Sequence, residues 1–147
     1  ICEILQVDGR CTSAEIASAV GVSVSTANER VRRLGANGSI LEFRAILNAA
    51  DAGADFCCFL FVDMAYDGEQ EAVEALTQRP EVLELHHISG PHSYLVKIRV
   101  ADAAAVQLFL QQVVKPLRAV QRTETLFSLD VAKETSALHI SGSREQA

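Results

Sequence analysis

The chain has 147 residues, 49% of them hydrophobic and 22% charged, ordinary proportions for a globular protein with room for one large core or two small ones. No apolar run approaches the roughly 20 residues that a helical membrane span requires, so no membrane partner is expected and the cytoplasm is the expected location. The formal net charge of −6 is unevenly placed: residues 1–50 carry five Arg and five acidic residues, and all of the acidic excess lies beyond them.

The chain opens at Ile1 already inside an apolar period (Ile1, Ile4, Leu5), so a first helix is expected here with its N-terminal part missing. Residues 12–40, TSAEIASAVGVSVSTANERVRRLGANGSI, then spell two short helices joined by a tight turn. Thr12 and Glu15 have the T-x-x-E spacing of a reciprocal capping box, and Ile16, Ala17 and Val20 fall on one face behind it. Gly21 ends that helix, Val22 is placed to plug the turn, and Ser23 is a good N-cap for the next. In the second helix Val24, Ala27, Val31 and Leu34 form one narrow stripe predicted to be buried. The opposite face carries Ser25, Thr26, Glu29, Arg32 and Arg33, with Asn28 and Arg30 on its flanks. Short hydroxyls near the N-terminus and guanidinium groups further along are the order a helix-turn-helix needs, since its second helix brings N-terminal residues to base edges and longer cations to phosphates. The candidate DNA-binding residues are therefore Ser23, Ser25, Thr26, Asn28, Glu29, Arg30, Arg32 and Arg33. Glu29 is the awkward member: a carboxylate repels phosphate unless it accepts from a cytosine amino group or pairs with Arg32 or Arg33. Gly38 closes the helix, and residues 39–47 (SILEFRAIL) read as an extended segment. Between Arg30 and Arg44 four arginines face one carboxylate, Glu42, a local positive patch in an acidic chain. So small a patch binds weakly as a monomer, and oligomerisation is expected.

Residues 48–54 (NAADAGA) are small and Gly-containing, a hinge, after which the period changes. Residues 56–66 (FCCFLFVDMAY) predict a strand, 68–78 a helix burying Ala72, Val73 and Leu76, 82–89 a strand, 90–93 (GPHS) a turn, and 94–100 its hairpin partner. A second helix starts at an Asp102 cap, runs through Ala105, Leu108, Phe109 and Val113 and stops before Pro116, and residues 120–132 supply the last strand. The order βαββαβ is the split ferredoxin-like plan, whose sheet keeps one face uncovered by its own helices, so a homodimer sealed sheet to sheet is expected. The fold class is thus α+β: a winged helix-turn-helix over 1–47, the hinge, a ferredoxin-like oligomerisation domain over 55–135, and a polar tail over 136–147 that can cross to a neighbour.

Cys2, Cys11, Cys57 and Cys58 form neither a C-x-x-C pair nor a disulfide framework, which suits a reducing cytosol. Cys57 and Cys58 adjoin in a strand and point to opposite faces, so they read as core filler. Of His86, His87 and His92, the first two alternate across a strand and only one of them can join His92, which argues against a metal site, whereas His92 at an interface suits pH sensing. No Walker loop, H-E-x-x-H, G-x-S-x-G or dinucleotide fingerprint occurs, so no cofactor, no metal and no catalytic residues are expected.

The segments ERVRRL (29–34), Gly38-Ser39-Ile40, AILN (45–48) and Ser89-Gly90 followed by Tyr94-Leu95, Lys97 and Val100 stand in an order and spacing that resembles the Lrp/AsnC (leucine-responsive, or feast/famine) transcriptional regulators across essentially the whole chain. The resemblance implies binding to double-stranded promoter DNA, dimers formed through the sheet and gathered into octamers or other multiples, and an amino acid or related effector bound between dimers near the turn before the third strand. It also implies effector contacts at Gly90, Pro91, His92, Ser93 and Tyr94, with Thr125 and Leu126 near the response positions of the final strand. One departure stands out. The family's turn commonly reads G-D-x-D-Y, whereas this chain has Gly90-Pro91-His92-Ser93-Tyr94, so an α-amino group loses its natural counter-charge and ordinary free amino acids become poor candidates. The rival implication is enzymatic: sirohaem decarboxylases are similar to this family in plan, but an enzyme has no reason to keep Ser25, Thr26, Arg30, Arg32 and Arg33 outward on a helix.

Overall fold

The capping signals act where the sequence places them. In the computed structural model, which describes residues 1–141, α1 spans Cys2–Val7, α2 Ser13–Val20 and α3 Val24–Ala36. The Thr12 hydroxyl accepts from the Glu15 backbone N–H at 3.3 Å while the Glu15 carboxylate accepts from the Thr12 N–H at 2.7 Å, closing the capping box. Gly21 stops α2 with φ +70°, a left-handed conformation that a side chain strains. Ile16, Ala17 and Ala27 are buried at the centre of this unit, with Ile1, Ile4, Leu5, Cys11, Val20, Val22 and Val31 packed around them.

The predicted stripe of α3 needs one correction. Ala27 is fully buried and Val31 and Leu34 are half-buried, but Val24 is 52% exposed. It is the first residue after the Ser23 cap, where the chain has only just entered the helix, and the packing against α2 begins a turn later at Ala27. Thr26, expected to face outward, is half-buried. The helix ends at Ala36 with Asn37 as its C-cap, and the Ile40 N–H donates to the Leu34 carbonyl at 2.9 Å, which ties the exit chain down. Residues 41–48 form no ladder with any described residue, so the extended segment stands without a strand partner in the single chain.

The second unit is a four-stranded antiparallel sheet in the order β2-β3-β1-β4, with β1 at Phe56–Met64, β2 at Val82–His87, β3 at Tyr94–Val100 and β4 at Val120–Phe127. Helices α4 (Glu69–Thr77) and α5 (Ala103–Phe109) cover one face. Cys58, Leu60 and Val62 of β1 and Tyr94, Val96, Ile98 and Val100 of β3 meet Leu76, Val106, Phe109 and Val114 there. Asp102 caps α5 by accepting from the Ala105 N–H at 2.8 Å. The helix expected to run to Pro116 changes pitch: Leu110–Val114 is a π-helical turn, with the Lys115 N–H reaching the Leu110 carbonyl at 2.8 Å. The last strand stops at Phe127, five residues short of the expected Ala132. Pairing with β1 runs out when Phe127 meets Cys58, and a final bond from the Ser128 N–H to the Cys57 carbonyl (3.0 Å) leaves the following chain no partner.

By internal contacts the chain divides into residues 47–132 and a unit made of residues 1–46 with residues 133–141. Of the tail expected over 136–147, residues 142–147 lie outside the described residues. No helix among the described residues is long and apolar enough to cross a membrane.

Candidate functional site

Two places carry functional geometry, one in each unit. The first is the exposed face of α3. The Ser23 hydroxyl accepts from the Thr26 backbone N–H at 3.1 Å, so it serves the helix as its cap. It also lies 2.9 Å from the Ser25 hydroxyl and 2.8 Å from that of Thr26, a cluster of three hydroxyls at the end of the helix where backbone N–H groups point outward. Ser25, Asn28, Glu29, Arg30, Arg32 and Arg33 are all exposed. Thr26 is partly turned in, so Ser25 is the better placed of the two for a base contact.

The Glu29 question has a geometric answer. Arg32 donates through Nε at 3.0 Å and through a terminal nitrogen at 2.9 Å to the two oxygens of Glu29, a bidentate fork one turn along the helix. The fork holds the Glu29 carboxyl below its usual range, through the Arg32 hydrogen bond first, and raises the Arg32 guanidinium in return. Among the described residues Arg30 and Arg33 have no carboxylate partner, and Arg44 is paired with Glu42 at 3.2 Å. The positive patch counted from sequence is therefore half neutralised from within.

The second place is the hairpin turn between β2 and β3. The Ile88 N–H donates to the Ser93 carbonyl at 2.9 Å, and Gly90 lies at φ +112°, a value that requires glycine. Pro91 gives the turn no N–H to donate. His92 folds onto the sheet face away from the helices: its ring stacks on Phe61 with centroids 4.5 Å apart, and Nδ1 sits 3.2 Å from Asp63 while Nε2 lies 3.7 Å from Glu124. Asp63 also accepts from the Ser93 N–H at 3.2 Å, and the Ser93 hydroxyl accepts from the Met64 N–H at 3.4 Å. Tyr94 is buried on the opposite face, where its hydroxyl donates to Glu69 at 2.9 Å and its ring stacks on His87. Burial first, then the Glu69 carboxylate, pushes the Tyr94 phenol upward. A groove of about 520 Å³ beside it runs between α4 and β2, lined by Val73, Thr77, Val82, Leu85, His87 and Tyr94.

Sequence reasoning missed Asp63, Glu124 and Phe61. Asp63 stands 30 residues before Ser93, and only the β1–β3 pairing, with Val62 opposite Tyr94, brings them together. Alternation along β1 was the available signal, because Phe59, Phe61 and Asp63 must share the face that the helices leave open. Thr125 and Leu126 lie opposite Leu60 and Phe59 on β4 and so point to different faces, and it is their neighbour Glu124 that reaches His92. His86 pairs with Glu84 at 3.3 Å, and Lys97 from β3 with the same carboxylate at 3.0 Å, which with His86 holds Glu84 below its usual range. Among the described residues no group of three or more His, Cys, Asp or Glu is arranged to hold a metal ion.

A capped helix pair presenting hydroxyls and arginines, followed by a sheet domain with a polar turn, is the build of a transcriptional regulator that joins a DNA-reading domain to a ligand-binding one. Residues 1–40 match the winged helix-turn-helix DNA-binding domain and residues 57–138 the Lrp/AsnC ligand binding domain. The chain belongs to the Lrp/AsnC family of transcriptional regulators. It is 32% identical to the HTH-type transcriptional regulator FL11 of Pyrococcus furiosus, over 95% of this chain and 92% of the relative. Among solved structures it is similar to a Neisseria meningitidis transcriptional regulator in complex with L-Met (25% identity, TM-score 0.89, 94% of this chain and 91% of that one). It is also similar to a feast or famine regulatory protein of M. tuberculosis complexed with L-methionine (29% identity, TM-score 0.86, 95% and 93%).

Proposed function

We propose that this regulator reads double-stranded DNA through α3 as a homo-oligomer and responds to a small molecule at the turn formed by residues 90–94. The observation that carries the DNA reading is the outward face of a well-capped α3, with Ser25 and Asn28 toward its N-terminus and, behind them, Arg30 and Arg33, which have no carboxylate partner among the described residues. Ser25, Asn28 and, from its half-buried position, Thr26 take base edges, Arg30 and Arg33 take phosphates, and Ser23 positions the helix end. Arg32 and Glu29 act as a pair. Arg33→Ala should weaken binding to every sequence alike and flatten its salt dependence, whereas Ser25→Ala should alter preference among sequences by about 1–3 kcal/mol per lost base contact. Equal effects of both substitutions on random and selected DNA would refute these roles.

A sheet-to-sheet homodimer is supported by the face that α4 and α5 leave open, where Phe59, Phe61, Leu95 and Leu126 fall in register across β3, β1 and β4. Dimers of dimers, up to an octamer, follow from the same family logic. For the effector, the L-Met complexes of the two solved relatives support an amino acid or a close analogue. The turn has lost its own acids, but Asp63 and Glu124 return two carboxylates to it from β1 and β4, so an ammonium group still has a counter-charge within reach. Thermal-shift titration with L-Met should raise the melting temperature of the wild type and not of Asp63→Asn. No response to L-Met or related amino acids in either protein would make the turn a structural contact between copies. A regulatory rather than enzymatic role is supported by relatives named as transcriptional regulators.

A further inference from the structure

The DNA-reading unit is small for an independent fold. Among the described residues its buried centre is Ile16, Ala17 and Ala27, and segments this short bury too small a share of their surface to be secure alone. The other end of the chain supplies a staple. After β4 the chain runs without regular structure and rejoins the unit of residues 1–46 from Lys133 onward. There the Gln6 side chain on α1 engages the backbone of Leu138 on both of its polar groups: the Leu138 N–H donates to Gln6 Oε1 at 2.6 Å, and Gln6 Nε2 donates to the Leu138 carbonyl at 3.1 Å. The amide thereby imitates one rung of an antiparallel ladder across 132 residues of sequence.

We propose that residues 133–141 are a strap that docks on α1 through the Gln6–Leu138 pair and completes the DNA-binding unit, so that the sheet unit is joined to the reading unit at both of its ends. The Leu138 side chain is largely exposed, so the docking rests on the backbone pair rather than on apolar burial. A strap held this way is reversible, and what loosens residues 133–141 loosens α1.

Amide hydrogen exchange on the full chain tests this without reference to DNA. Gln6→Met removes both partners at similar volume, and Leu138→Pro removes the donor from the other side. Either variant should speed exchange of the α1 amides of Leu5 and Asp8 by about fivefold for each hydrogen bond removed, the factor a typical net hydrogen bond is worth, with the sheet amides unchanged. Gln6→Met, which removes both bonds, should also release the Leu138 amide, and adding Leu138→Pro to it should change little further. Identical exchange at Leu138 in the wild type and Gln6→Met, or unchanged α1 exchange in both variants, would overturn the strap. Protection that falls on dilution would overturn it as an intramolecular device and assign the contact to a second copy.

Discussion

Glu29→Gln is expected to tighten DNA binding. In the free protein the Glu29 carboxylate occupies Arg32 through two hydrogen bonds of 3.0 and 2.9 Å, so the net charge that this pair presents to a phosphate is zero. The amide keeps the volume, removes the negative charge and releases the guanidinium. Each phosphate neutralised contributes about −0.9 to the slope of log K against log salt, so a dimer that places two reading helices on its site gains about −1.8 from two released arginines. Between 200 and 50 mM salt, a fourfold dilution, that slope difference enlarges the advantage of the variant over wild type by roughly 12-fold. Fluorescence anisotropy with random-sequence duplex at several salt concentrations reads both quantities. Unchanged affinity and slope would refute the idea that the fork keeps Arg32 from phosphate. A loss confined to one selected sequence would show instead that Glu29 leaves Arg32 on binding and accepts from a cytosine amino group.

Two further outcomes follow from the sheet unit. Glu84 has its carboxyl held below the ordinary value of 4.5 by Lys97, so the folded state is favoured above that pH and loses this contribution as pH falls below it through the lowered folded value. Acid unfolding followed by circular dichroism should therefore begin at higher pH in Lys97→Met than in wild type, and coincident acid limbs would count against the pair. Burial, and the neighbouring Cys57 after it, pushes the Cys58 thiol up to about 11, so at pH 8 it should resist iodoacetamide in the native protein and react only on unfolding. Native labelling of Cys58, read by peptide mass, would contradict its place in the core.

What was legible in the sequence was local. The Thr12–Glu15 box, the Gly21 stop and the Ser23 cap each depend on neighbours within four residues, and each formed as read. Strand alternation was equally local, because a period of two leaves no freedom once one face is buried, yet residues 56–66 are expected only to form a strand, with neither face marked as the buried one. What escaped depended on partners distant in sequence. Val24 fits the helical stripe by angle, yet the docking of α3 starts at Ala27. The end of β4 depended on where β1 stops offering partners. The acids at the hairpin turn come from β1 and β4, so a motif comparison confined to residues 90–94 counted two carboxylates lost when the fold supplies two others.

The same internal pairing decides how many copies the DNA requires. Between Arg30 and Arg44 the sequence offers four arginines, but Arg32 is taken by Glu29 and Arg44 by Glu42, so among the described residues Arg30 and Arg33 are the two without a carboxylate partner and, on the proposed reading, the two offered to phosphate. Two contacts per copy set a salt slope of about −1.8 for one reading helix, about −3.6 for two and about −7 for four. A slope near −1.8 also means an affinity that physiological salt would largely abolish, on a chain whose net charge of −6 repels DNA over the rest of its surface. The salt dependence of binding to a single short duplex therefore counts reading helices directly. A value close to −3.6 on one site supports the homodimer, with each hydroxyl cluster reading one half-site. A value near −1.8 at full occupancy would show that a single α3 suffices and would remove the electrostatic reason for oligomerisation.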